Sequence, residues 1–134
     1  MSSDDPVESI FNLIETISDA SHRFRWAMET ASDAGFRQFV DEIREQLEQY
    51  TFELETEIRR LGVERAVSED ALPDHDKSDR VSIVVLRHSL ESTVNAFKKA
   101  LDTPLTAHAR AMLKRQQVVV EDCFKRAVAL SRAA

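Results

Sequence analysis

Apolar residues recur along this chain at alternating intervals of three and four, the spacing that places them on one face of an α-helix. In the first such stretch they form a continuous stripe, and Ser21 is its single polar break. Three further stretches show the same period, so the pattern predicts four amphipathic helices and no strands. The predicted helices span about residues 6–31, 34–61, 80–101 and 104–132.

Capping signals at the ends of these stretches support the same division. Asp5 precedes Pro6, which combines an N-cap carboxylate with a proline in the first turn. Asp102-Thr103-Pro104 repeats that signal and is expected to open the fourth helix. Asp33 can cap the second helix, and Gly62 is positioned for a left-handed C-cap at its end.

The connection between helices two and three predicts the topology. Helix two, taken as residues 34–61, is about 42 Å long at ~1.5 Å per residue. Residues 62–79 can span about 59 Å at ~3.3 Å per residue, which is enough to cross the whole bundle. Neighbouring antiparallel helices usually need only a few linking residues. The sequence therefore favours an all-α, ferritin-like four-helix bundle with up-down-down-up order, and the alternative is an up-down-up-down bundle.

Composition fits one soluble domain. The chain has 134 residues, 43% hydrophobic and 31% charged, which suits a single core with a solvated surface. Its 2 glycines cannot build a glycine-rich phosphate loop, and its 1 cysteine excludes an internal disulfide. The first residues do not form a signal peptide, and no apolar run is long enough to span a membrane. We expect a cytoplasmic protein that does not insert into membranes.

Charge is divided unevenly along the chain. Residues 1–80 carry 20 acidic and 9 basic residues, whereas residues 81–134 carry 4 and 9. This division favours two helical hairpins of opposite charge that attract each other when they dock. Basic residues in the second half are interleaved with core positions and lack a series of aromatic residues for base stacking, so we expect no nucleic-acid partner.

Two segments of the first half resemble a known family. These are Leu13-Ile14-Glu15-Thr16-Ile17, followed by Phe24, and Glu53-Leu54-Glu55-Thr56-Glu57-Ile58-Arg59-Arg60-Leu61-Gly62. Both are similar to segments of the small bacterial ferritin-like four-helix-bundle proteins grouped as a domain-of-unknown-function family. The resemblance covers helices one and two, and its motifs are structural. It implies a ferritin-like bundle, a bacterial cytoplasmic setting and a link to stress physiology, with no agreed enzymatic activity.

The usual dinuclear metal site of ferritin-like bundles is not expected. It needs Glu-x-x-His motifs, which this chain lacks, and the predicted mid-core contains neither carboxylate nor histidine. Two looser pairs put potential ligands on one helical face, although both are predicted to point outward as weak ion pairs. These weak candidates for a metal site are Asp19, His22, His88 and Glu91. We expect no cofactor.

Other polar residues lie in the predicted core stripes. Cys123 is expected to behave there as a small hydrophobic residue. Ser21, Thr93 and Gln116 interrupt the stripes and are predicted to form hydrogen bonds across the bundle or to backbone carbonyls. No catalytic residue is predicted, because these side chains have no acid or base beside them.

Apolar residues that fall outside the predicted core stripes suggest that part of the surface is covered. Phe11 and Phe52 are expected at the same level of the first hairpin, where they would form one patch. A partner subunit or the long connection can cover such side chains. The candidate interface residues are Trp26, Phe52, Val81, Val84 and Val85.

Two functional hypotheses follow. The first is a non-enzymatic bundle that acts through self-association, as a homodimer, or through an unidentified protein partner. The alternative is a ferritin-like bundle that binds a metal or a small molecule at a non-standard site.

Overall fold

The computed structural model describes residues 5–63 and 83–133. They form four helices without strands, so the predicted all-α bundle is confirmed. None of these helices is both long and apolar enough to cross a membrane. The helices are α1 (Pro6–Thr30), α2 (Ala34–Arg60), α3 (Ile83–Leu101) and α4 (Ala107–Ala133).

The capping predictions hold for α1 and α2. Asp5 accepts a hydrogen bond of 3.0 Å from the Val7 amide, and Asp33 accepts one of 2.7 Å from the Phe36 amide. These bonds satisfy amides that have no carbonyl partner within the helix. Gly62 has a φ of 82°, the left-handed conformation expected of a C-cap glycine.

The start of α4 differs from its prediction. The helix begins at Ala107, three residues later than the proline signal indicates. The hydroxyl of Thr106 accepts a hydrogen bond of 3.1 Å from the Ala109 amide, so Thr106 caps the helix. Thr103 instead donates its hydroxyl to the Ala100 carbonyl at 2.6 Å, which ties it to the end of α3.

Side-chain contacts establish the helix directions. Glu57, near the end of α2, contacts His108, near the start of α4, whereas Glu42 contacts Arg126. These pairs make α2 and α4 antiparallel. Arg87, near the start of α3, donates to the hydroxyl of Ser131, near the end of α4.

Because α3 is also antiparallel to α4, helices α2 and α3 are parallel. Among the described residues, α2 does not approach α3, and α1 does not approach α4, so these pairs occupy the diagonals. The predicted up-down-down-up order is confirmed. Residues 64–82, which carry most of the connection, lie outside the described part of the chain.

The core lies between four unequally packed neighbouring pairs of helices. The pairs α1–α2, α3–α4 and α1–α3 pack closely along their lengths, whereas α2 and α4 approach each other much less closely. The largest fully buried side chains fill the space between the helices. They are Phe11, Phe24, Phe97, Ile10, Leu13, Ile14, Ile17, Ile43, Leu47, Leu54, Leu86 and Leu90.

Candidate functional site

Polar and ionisable side chains meet where α2 faces α4. We call this region the α2–α4 seam. Its residues contact one another across the two helices, or act electrostatically on one another, and several of them are buried. They are Tyr50, Glu53 and Glu57 of α2 and His108, Arg115, Gln116 and Cys123 of α4.

Gln116 occupies the most enclosed position of the seam. Its side chain is fully buried, and its Nε2 donates a hydrogen bond of 2.8 Å to Oε1 of Glu53. Oε1 of Gln116 is buried without a hydrogen-bond partner. An unsatisfied buried acceptor costs about 1–3 kcal/mol, so Gln116 is a polar residue held in the core at the expense of stability.

Glu53 is held as a carboxylate. It accepts hydrogen bonds from Gln116, from Gln49 at 3.2 Å and from Arg115 at 3.2 Å. Burial alone would raise its pKa, but these hydrogen bonds and the charge of Arg115 outweigh burial and lower it. At neutral pH Glu53 therefore acts as an ion-pair partner rather than as a proton donor.

Glu57 is a buried carboxylate that the sequence reasoning missed. It is 2% exposed, and the Arg60 guanidinium donates to both of its oxygens at 2.8 and 2.6 Å. These hydrogen bonds outweigh burial and lower its pKa. Nε2 of His108 lies 3.5 Å from Oε1 of Glu57. The available signal was an arginine three residues after a glutamate that adjoins the predicted core stripe.

Replacement of Glu57 should reveal its ion pair as a pH dependence of stability. Because folding lowers the pKa of Glu57, the ionised carboxylate stabilises the fold at pH values above its unfolded pKa of 4.5. This contribution disappears as the pH falls through the lower pKa of the folded state. The difference in unfolding free energy between wild type and Glu57→Gln should be largest at neutral pH and shrink toward pH ~3.

Denaturant melts at several pH values test this expectation. Glu45→Gln is the control, because the Glu45 side chain is 69% exposed, and it should change stability little at any pH. A wild-type advantage over Glu57→Gln that stayed constant from pH ~7 to pH ~3 would contradict the role given to Glu57.

Cys123 and Tyr50 complete the seam without forming a nucleophilic site. Cys123 is 5% exposed and Tyr50 6% exposed. Burial raises the pKa of the Cys123 thiol and also that of the Tyr50 hydroxyl. Both groups therefore stay protonated at neutral pH, and the prediction that Cys123 packs in the core is confirmed.

Of the three polar core residues Ser21, Thr93 and Gln116, two form the predicted hydrogen bonds. The Thr93 hydroxyl donates to the Ser89 carbonyl at 2.8 Å, and Gln116 bonds across the bundle to Glu53. Ser21 is buried, 6% exposed. The Glu53 carboxylate that accepts from Gln116 was not expected, because the predicted mid-core contained no acidic residue.

The weak metal-site candidates lie on the outer surfaces of α1 and α3. Asp19 is half-buried and accepts a hydrogen bond of 3.1 Å from Arg23, whereas His22, His88 and Glu91 are exposed. In the part of the chain that the structure describes, no three potential ligands come together to hold a metal ion.

The candidate interface residues differ in exposure. Phe52 is 60% exposed, Val84 43% and Val85 37%, whereas Trp26 is half-buried. Val81 lies outside the described residues. The expected patch of two phenylalanines is wrong, because Phe11 is only 2% exposed and belongs to the core.

A polar groove of about 950 Å³ runs along the outside of α1 and α3. The first half of α1 lines it opposite the second half of α3, as expected for antiparallel neighbours. Asn12, Asn95 and Lys99 are among the lining residues, and the rest are small polar or acidic side chains apart from Ala96. The groove has amide and charged groups but no buried polar group that points to a particular ligand.

Comparison with known proteins assigns no family. The chain matches no protein-family model, and a search of curated proteins finds no similar sequence. The ferritin-like resemblance of α1 and α2 therefore stays a prediction based on their residues.

Proposed function

We propose that this protein is not an enzyme and acts through association, as a cytoplasmic homodimer or with a protein partner. The exposure of Phe52 carries this proposal, because 60% of a phenylalanine lies in water on a helix whose other large apolar residues are mostly buried. Val84 adds a second exposed apolar side chain at the start of α3. Aromatic residues of this kind often provide the main anchors of protein interfaces.

The chemistry of the α2–α4 seam supports a structural role for its ionisable residues. Glu53 and Glu57 are engaged by arginine and held ionised, while the Cys123 thiol is held protonated. This tuning suits neither a carboxylic acid that donates a proton, which needs a raised pKa, nor a nucleophilic thiol, which needs a lowered pKa.

A twofold dimer is the arrangement that we propose. Each apolar patch is then covered by its copy on the other subunit, which limits open-ended assembly. Phe52 of α2 is the proposed centre of this contact. Among the described residues, Trp26 of α1 and Val84 and Val85 of α3, which lies at the opposite corner of the bundle from α2, are the other candidates.

Glutamate substitutions at the exposed positions test this arrangement. Phe52→Glu should shift sedimentation at micromolar concentration from dimer toward monomer, because it buries a charge in an apolar contact. Trp26→Glu and Val84→Glu, made separately, test the other two candidate faces. Ala111→Glu, at an exposed position of α4, a helix that carries none of the candidate contacts, is the control and should leave the dimer intact. A dimer that persists in all three variants would overturn the interface assignment.

A second candidate function is the binding of a metal or small molecule within a ferritin-like plan. The buried and unpartnered Oε1 of Gln116 favours it, since a bound donor or cation would satisfy that atom. Stoichiometric iron, manganese or zinc that survives dialysis would support this function. The resemblance of α1 and α2 to ferritin-like proteins also suggests a bacterial, stress-related setting.

A further inference from the structure

The α2–α4 seam differs in construction from the other three contacts between neighbouring helices. The helices α1 and α3, which join the two hairpins on the opposite side of the bundle, pack closely, whereas α2 and α4 approach each other much less closely. The two hairpins are therefore joined by one tight contact and one loose contact. Regions with few close contacts are the ones that open before a protein unfolds as a whole.

The contacts across the loose seam are mainly ionic and partly exposed. Arg126 lies 3.6 Å from Glu42, with both side chains about half exposed, and Arg115 lies 3.2 Å from Glu53. Exposed ion pairs contribute little to stability and are weakened by salt. These pairs orient α4 on α2 without holding it firmly.

Gln116 further lowers the cost of separating the helices. Its Oε1 has no partner in the closed seam and gains hydrogen bonds from water when the seam opens. Separation of α1 from α3 has no such compensation, because no other buried side-chain nitrogen or oxygen of the described residues lacks a hydrogen-bond partner.

We propose that the bundle opens along the α2–α4 seam while the α1–α3 contact stays closed. The two hairpins then rotate apart about the α1–α3 contact. This motion exposes the inner surfaces of α2 and α4 without unfolding the helices. It is a conformational device distinct from the proposed association through the outer apolar residues.

Cys123 provides a built-in reporter of this opening. It is the only cysteine of the chain, it is buried, and Tyr50 and Glu42 of α2 lie close enough to act on it electrostatically. An aromatic disulfide reagent can modify this buried thiol when the seam opens, when α4 frays or when the whole protein unfolds, and the variants below separate these routes. The control is Cys123→Ala combined with Ala100→Cys, which places the thiol at a fully buried position of α3, a helix that does not approach α2.

Labelling without denaturant should separate the two positions. Each labelling rate is first divided by the rate that global unfolding alone would allow, which follows from the unfolding free energy of that variant. On this scale we expect Cys123 to react at least about tenfold faster than the cysteine at position 100. Added salt should accelerate Cys123 and leave the control unchanged. Equal protection of both thiols, at the level set by global unfolding, would overturn the proposal.

A second pair of variants distinguishes seam opening from fraying of the α4 terminus. Arg115→Gln removes a seam ion pair in the first half of α4, away from its C-terminal end, and should accelerate Cys123 labelling about two- to fivefold, as expected for one exposed ion pair. Lys114→Gln, at the exposed neighbouring position, should have no effect. Equal rates in both variants would contradict opening of the seam.

Discussion

Leu47→Ala and Leu90→Ala should each lower the free energy of unfolding by about 2–5 kcal/mol, the usual range for truncation of a buried leucine. Leu47 is 1% exposed and Leu90 0%, on α2 and α3, which occupy opposite corners of the bundle. Both side chains fill the common core, so each truncation leaves a cavity that the surrounding helices cannot fully close. Denaturant or thermal melts measure the loss.

Surface residues of α1 provide the controls for these core substitutions. Glu15 and His22 are exposed, and Glu15→Ala and His22→Ala should each change stability by less than about 0.5 kcal/mol. A loss for His22→Ala as large as that for Leu47→Ala would show that the assigned inward and outward faces of α1 are wrong.

Gln116→Glu should destabilise the protein by about 3–5 kcal/mol at neutral pH, the range for an uncompensated buried charge. Gln116 is fully buried, and in the wild type its amide nitrogen lies 2.8 Å from the Glu53 carboxylate. The substitution puts a second carboxylate at that position. The two like charges repel each other where little water screens them. Protonation of one carboxylate removes the repulsion, so the loss should shrink in mildly acidic solution.

Gln117→Glu is the matched control for this prediction. Gln117 is the next residue of α4 and is half-buried, on a different side of the helix. Melts at neutral pH should show a change below about 1 kcal/mol for it. Similar losses in the two variants would contradict the placement of Gln116 against Glu53.

The four helices and their order follow from properties that the sequence expresses directly. Apolar periodicity reports which face of each helix is buried, and Asp33 and Gly62 mark helix ends through local hydrogen bonding and backbone conformation. The length of the connection after Gly62 favours parallel α2 and α3, as the contacts of α4 with α2 and α3 confirm.

Features that depend on spacing between helices were not predictable in the same way. Glu57 appears polar by residue type, yet Arg60 neutralises it within the same helix and allows its burial. Phe11 lies outside the ideal stripe but is buried, because α1 packs closely against both α2 and α3 and its buried face is wider than one stripe. Thr106, rather than the proline signal, sets the start of α4, since a side-chain cap competes locally with other helix starts.

Native mass spectrometry of the purified protein at micromolar concentration tests the central claim most directly, because one spectrum reports both subunit number and bound metal. The account predicts a dimer with twice the chain mass of 15.3 kDa and no stoichiometric metal. A 15.3 kDa monomer would contradict it, as would a species that carries stoichiometric iron, manganese or zinc.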